Sequence, residues 1–184
     1  MKTKLMGLSV LVLVLTIGVP PVQAVPITLE FTASGFTDVF PTSLPAPTDP
    51  VSGTIVYEAA STTASIDSLT SINMTIDGHS YTVGGLLFET FGNSQVIGGP
   101  ISGINGVSGG FDDFRFAYNL VALTPTAFSY ASADSTSIWE VTGRGFTSFS
   151  VTASTVPEPS TLFLLGSGLV GLVGFGRKRP RRIQ

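Results

Sequence analysis

The 184-residue chain contains no cysteine and one histidine, His79. The first absence excludes disulfides, thiol nucleophiles and thiolate metal sites; the second excludes a multi-histidine metal centre within one chain. Charged residues are 11% of the sequence, and lysine is absent between residues 25 and 155. In that stretch only Arg115 and Arg144 oppose eleven carboxylates, for a net charge of −9. Such a segment repels phosphate backbones, so nucleic acid is disfavoured and is not expected as a partner. Low charge density also argues against a charge-extended disordered chain. No amphipathic helical pattern of useful length runs through residues 25–155.

The basic residues missing from the middle lie at the two ends. Lys2 and Lys4 precede an apolar run from Leu5 to Val19, and Val22-Gln23-Ala24 places small residues at −3 and −1. These are the three parts of a secretory signal, with cleavage expected between Ala24 and Val25. At the other end, residues 161–176 carry no charge and include glycines at 166, 168, 171, 174 and 176. As a helix this segment spans ~24 Å, short against ~30 Å of hydrocarbon but within what flanking arginines and bilayer thinning accommodate. Arg177, Lys178, Arg179, Arg181 and Arg182 follow at once and would hold the C-terminus in the cytoplasm. The chain therefore divides into a signal peptide (1–24), an exported domain (25–155) and a C-terminal segment (156–184). That last segment comprises a proline motif (156–160), a transmembrane helix (161–176) and a basic tail (177–184).

Pro157-Glu158-Pro159 stands directly before the apolar segment. Two prolines keep this stretch extended and accessible, and Ser160 or Thr161 can cap the helix that follows. The run VPEPSTLFLLGSGLVGLVGFGRKRPRR resembles the PEP-CTERM protein-sorting signal of Gram-negative bacteria. Pro157, Glu158 and Pro159 correspond to its motif, 161–176 to its glycine-rich span, and the five basic residues to its arginine cluster. The resemblance implies recognition by a membrane exosortase, cleavage near the motif, and delivery to the cell surface or outside the cell. Such tails also carry an ice-binding C-terminal label, which describes the tail and does not imply ice binding. Residues 25–155 lie outside the resemblance.

Serine and threonine supply 37 of the 131 residues from 25 to 155. Period-two alternation recurs, which predicts an all-β domain of β-sandwich or jelly-roll type. Ile27, Leu29, Phe31 and Ala33 are expected on one face, with Thr28, Glu30 and Thr32 opposite. Ile55 with Tyr57 continues the pattern, as do Ile72, Met74 and Ile76. Asp77-Gly78 then predicts a two-residue hairpin leading into His79, Tyr81 and Val83. Phe114, Phe116, Tyr118 and Leu120, then Trp139 with Val141, then Phe149, Val151 and Ala153 mark later strands. Residues 36–50, with four prolines, and the glycine-rich 97–110 are expected as loops. Neither has the Gly-Lys-Ser/Thr ending of a phosphate loop.

Within the domain no catalytic residue, metal site or cofactor is expected. His79 follows a turn, and no Gly-x-Ser-x-Gly elbow accompanies it. Asp112 and Asp113 beside Gly109-Gly110 are weak Ca²⁺ candidates, with a solvated acidic turn the preferred reading. Glu30, Glu58, Glu89 and Glu140 are read as surface charges rather than an acid/base pair. Trp139 and the four tyrosines are read as core rather than a sugar-stacking platform. An ice-binding plane would need threonines arrayed over several strands, whereas Thr124-Pro125-Thr126 stands alone. Asn73-Met74-Thr75 fits a glycosylation sequon inside a strand and is expected to stay unmodified. The functional expectation is an exported, non-enzymatic surface or matrix protein associated with exopolysaccharide. Its expected partners are signal peptidase, the membrane, an exosortase and extracellular polysaccharide. A carbohydrate- or Ca²⁺-binding module is the alternative, and an extracellular hydrolase stands behind that.

Overall fold

The computed structural model describes residues 24–40, 43–154 and 165–169. Up to Ala153 the chain forms one compact unit, and 154–184 forms a second. The first unit is all-β and antiparallel. One sheet contains β1 (Val25–Ala33), β3 (Val51–Ala59), β4 (Ser68–Ile76), β5 (His79–Ser80) and β11 (Phe146–Ala153), in the order β11-β1-β3-β4-β5. The other contains β2 (Thr37–Asp38), β6 (Leu87–Phe91), β7 (Ser94–Gly99), β8 (Asp113–Asn119), β9 (Thr124–Ala131) and β10 (Ile138–Thr142), in the order β2-β10-β9-β8-β7-β6. Short 3-10 turns occupy Val83–Gly85, Gly103–Asn105 and Gly143–Gly145.

The period-two pattern determines which face of each strand is buried. Ile27, Leu29, Phe31 and Ala33 on β1 are all buried, as are Ile55 and Tyr57 on β3 and Met74 and Ile76 on β4. Phe114, Phe116 and Tyr118 on β8, Phe128 and Tyr130 on β9, and Trp139 and Val141 on β10 are buried from the other sheet. These residues belong to one hydrophobic cluster. Aromatic rings join the sheets directly: Phe31 stacks on Phe116 at 4.7 Å between centroids and meets Phe128 at 5.3 Å. Burying this aromatic surface is the main favourable term holding the unit together. The buried hydroxyls of Tyr57 and Tyr118 pair with each other at 3.0 Å, so neither is left unsatisfied.

Asp77 and Gly78 form the expected hairpin between β4 and β5. Both have positive φ, 50° and 78°, as a type I′ turn requires. The extension of this hairpin differs from expectation. Pairing stops at Ser80, Tyr81 is buried beyond the strand, and Val83 begins a 3-10 turn.

The glycine-rich segment also needs correction. Ile97, Gly98 and Gly99 belong to β7 and pair with Phe116, Arg115 and Phe114 of β8. They read as loop because glycine is a turn signal, yet Gly98 serves a close approach. A Cβ there would collide with the carbonyl oxygen of Gly103, whose own loop folds back against β7. No period-two pattern in the sequence marks the hairpin of β6 and β7.

In the second unit, residues 165–169 are helical, with Leu165 and Leu169 exposed. No helix among the described residues is long and apolar enough to cross a membrane. The rest of the expected span 161–176, the signal peptide up to residue 23, and the basic tail lie outside the described residues.

Candidate functional site

The structure draws the two aspartates singled out from the sequence into different roles. Asp113 opens β8 and is fully buried, so it is not part of a solvated acidic turn. Its Oδ1 accepts the backbone N–H groups of Ile101 and Phe114, and its Oδ2 those of Ser102 and Ser108, at 2.9–3.2 Å. One carboxylate thus fastens both ends of the glycine-rich loop to the start of β8. A buried charge satisfied by four N–H donors is a structural anchor. Asp112 faces outward: its Oδ1 accepts the Ala133 N–H, and its Oδ2 lies 3.3 Å from His79 Nδ1. Among the described residues, no group of three or more His, Asp or Glu side chains could hold a metal ion.

His79 packs edge-on against Tyr81, which packs edge-on against Phe114. The nearby hydroxyl of Ser132 donates to Asp77. Histidine, serine and carboxylates therefore gather around the hairpin, but serine and histidine bond to different aspartates. The Tyr81 hydroxyl is buried without a hydrogen-bond partner, and burial holds its pKa well above the ordinary value. Trp139 and all four tyrosines lie in the core, so none forms an exposed stacking platform.

The outer face of the five-stranded sheet carries something not visible as a run in the sequence. Strand register lines up Ser148, Thr32 and Ser52 in one row. The next row is Ser150, Glu30, Thr54 and Asn73, and the third is Thr152, Thr28, Val56 and Ser71. Residues far apart in the chain thus form a hydroxyl lattice with strands ~4.8 Å apart. Thr32 and Ser52 hydroxyls bond across it at 3.0 Å. A shallow groove of about 580 Å³ runs over this face, with Glu30 its only charged lining residue. The Thr124-Pro125-Thr126 segment is not part of this lattice; it starts β9 in the other sheet.

Of the domain's two cations, Arg115 lies on the outer face of the six-stranded sheet, and Arg144 on the 3-10 turn that follows β10. Register sets Arg115, Ser129, Glu140 and Thr37 side by side on β8, β9, β10 and β2. Ser129 donates to Glu140 Oε2 at 3.2 Å, and Arg115 Nε donates to the Ile104 carbonyl at 3.1 Å. Two cavities, of about 620 and 220 Å³, both include Glu140 and Val39 in their walls. Arg144 lines the larger and Arg115 the smaller. Of the other glutamates considered from sequence, Glu30 and Glu58 belong to the five-stranded sheet and Glu89 to β6.

Val25 is the first residue of β1 and pairs with Ala59, so the expected cleavage point coincides with the start of ordered pairing. At the other end β11 stops at Ala153. Pro157, Glu158, Pro159 and the cluster Arg177, Lys178, Arg179, Arg181 and Arg182 lie outside the described residues. No curated protein and no solved structure matches this chain. The PEP-CTERM protein-sorting motif does match, over residues 155–179. Such a motif implies export, a membrane-anchored intermediate, processing by an exosortase and delivery towards the cell surface. Beginning two residues beyond the last residue of the β unit, the chain thus carries a PEP-CTERM protein-sorting motif.

Proposed function

We propose that this is a non-enzymatic surface or extracellular-matrix protein of a Gram-negative bacterium, associated with exopolysaccharide or biofilm. We read the two sheets around one core as a β-sandwich, exported after cleavage between Ala24 and Val25. A transmembrane helix at 161–176 then holds it in the inner membrane until the exosortase acts at Pro157-Glu158-Pro159. The observation carrying this reading is the sorting motif placed directly after β11. The hydroxyl lattice supports the matrix role, because a hydroxyl-rich, weakly charged face exchanges hydrogen bonds with hydrated polysaccharide at little desolvation cost. That the Ser132 hydroxyl donates to Asp77, while His79 lies against Asp112, supports the non-enzymatic reading, since a Ser-His pair has the serine donate its proton to the histidine.

The test is intact mass and cell fraction of the native protein beside a variant with alanines at 157–159. The expected wild-type product starts at Val25 and ends near Pro157–Pro159, outside the inner membrane. The variant should stay in the membrane. Identical release of both would overturn the sorting reading.

A carbohydrate-binding module is the second reading, favoured by the cavity that Glu140 and Arg144 line together.

A further inference from the structure

We propose that the groove on the outer face of the six-stranded sheet is a binding site for a carboxylate-bearing sugar unit. Arg144 would hold the carboxylate, and Glu140 with its neighbouring hydroxyls the ring hydroxyls. The first argument is distribution of charge. The segment 25–155 has two cations and eleven carboxylates; in the larger cavity Arg144 stands with a single carboxylate, Glu140, and Arg115 lines the smaller cavity, which shares Glu140 and Val39. The larger cavity is thus locally neutral on a domain of −9, so a small anion is repelled less here than over the rest of the domain.

The second argument is the state of the side chains. Arg144 makes no ion pair with Glu140 or any other described carboxylate, and it is exposed to the larger cavity. A guanidinium offers a planar fork of donors matched to a carboxylate. Arg115 is already directed by its bond to Ile104, which keeps its positive end beside the smaller cavity. Glu140 accepts from Ser129 on one oxygen, and among the described residues no hydrogen bond to the other is seen. Acceptors of this kind suit sugar hydroxyls, and Ser34, Thr37 and Thr142 add hydroxyls to the same wall.

The third argument is size and rigidity. About 620 Å³ falls in the range that accommodates a small ligand. The smaller cavity, which shares Glu140 and Val39 with the larger, is walled by Asn105 to Val107, a loop pinned by Asp113. A site whose Thr37 and Glu140 sit opposite each other on paired strands loses little entropy on binding.

This inference rests on the groove alone, so it and the sorting reading can fail separately. The test is calorimetric titration of the full chain in detergent micelles with trigalacturonate, its neutral methyl ester, and glutarate. The expected result is binding of trigalacturonate, weakened roughly tenfold or more both by esterification and by Arg144→Gln. Arg144→Gln alters an exposed side chain, and an unchanged melting temperature checks that it folds. Arg144→Lys should recover part of the affinity, since it restores charge without the fork. No binding of trigalacturonate, equal affinity for acid and ester, or an unchanged Arg144→Gln affinity would overturn the proposal. Glutarate binding as tightly as trigalacturonate would overturn the sugar assignment.

Discussion

Tyr57 on β3 and Tyr118 on β8 meet hydroxyl to hydroxyl at 3.0 Å in the core, joining the two sheets by one polar contact. Both residues are fully buried. Removing one hydroxyl leaves the other without a partner and out of reach of water. Tyr57→Phe and Tyr118→Phe should each cost about 1–3 kcal/mol. The double variant should lose less than the two single losses added together, because it removes both orphaned groups. A double-mutant cycle by urea unfolding measures this; strict additivity would mean the contact carries no coupling.

The tyrosines also set an alkaline limit. Burial is the largest cause raising the pKa of Tyr57, Tyr81, Tyr118 and Tyr130, with Tyr130 pushed up to about 12. An unfolded tyrosine ionises near 10, so the folded state holds these protons more tightly. The stability from this difference is complete below pH 10 and is lost as pH rises above it. The loss is roughly 1.4 kcal/mol per pH unit for each tyrosine still protonated in the fold. Tyrosinate absorbance should therefore rise together with loss of β-sheet circular dichroism, in one transition above pH 10. Independent titration of exposed tyrosines near pH 10 with the fold intact would contradict the burial.

Asp113 is the strongest single polar anchor among the described loops. Asp113→Ala strands four backbone donors and should destabilise the protein by about 2–4 kcal/mol. Asp113→Asn keeps one acceptor oxygen and should lose roughly half as much. Thermal unfolding reads the difference, and hydrogen exchange at Ile101, Ser102 and Ser108 should accelerate in both variants.

The same four bonds bear on calcium. Both Asp113 oxygens already accept N–H groups, and Asp112 is engaged by Ala133 and His79. A Ca²⁺ ion needs six to eight oxygens and would have to displace these donors. Adding EDTA should leave the melting temperature unchanged within roughly 2 °C; a larger fall would reveal a bound stabilising ion.

Much of the inner face was legible from sequence. Alternation along 27–33 and 114–120 marks the buried residues because side chains in a strand point alternately to opposite faces. Asp77-Gly78 marked its hairpin because few residue pairs tolerate two positive φ values. The hairpin of β6 and β7 was hidden by the opposite property: Gly98 and Gly99 signal turns, while here glycine admits a loop packed on the strand. Asp113 read as a surface turn because burial of a carboxylate depends on where the loop's N–H groups point, which no local pattern encodes.

The C-terminal sorting motif and the charge asymmetry are properties of contiguous residues or of composition, so the sequence alone determines them. The strand faces follow as well, since the period of two is local. The outer surfaces do not. Ser148 reaches Thr32 and Ser52 only through the pairing of β11 with β1 and of β1 with β3. Arg115 and Glu140 come to share a groove only because β9 lies between β8 and β10. Strand order joins segments more than a hundred residues apart, and it is chosen by the packing of the whole core. Tertiary structure therefore decided the hydroxyl lattice and the arginine groove, which the linear pattern had left as scattered serines, threonines and two isolated cations.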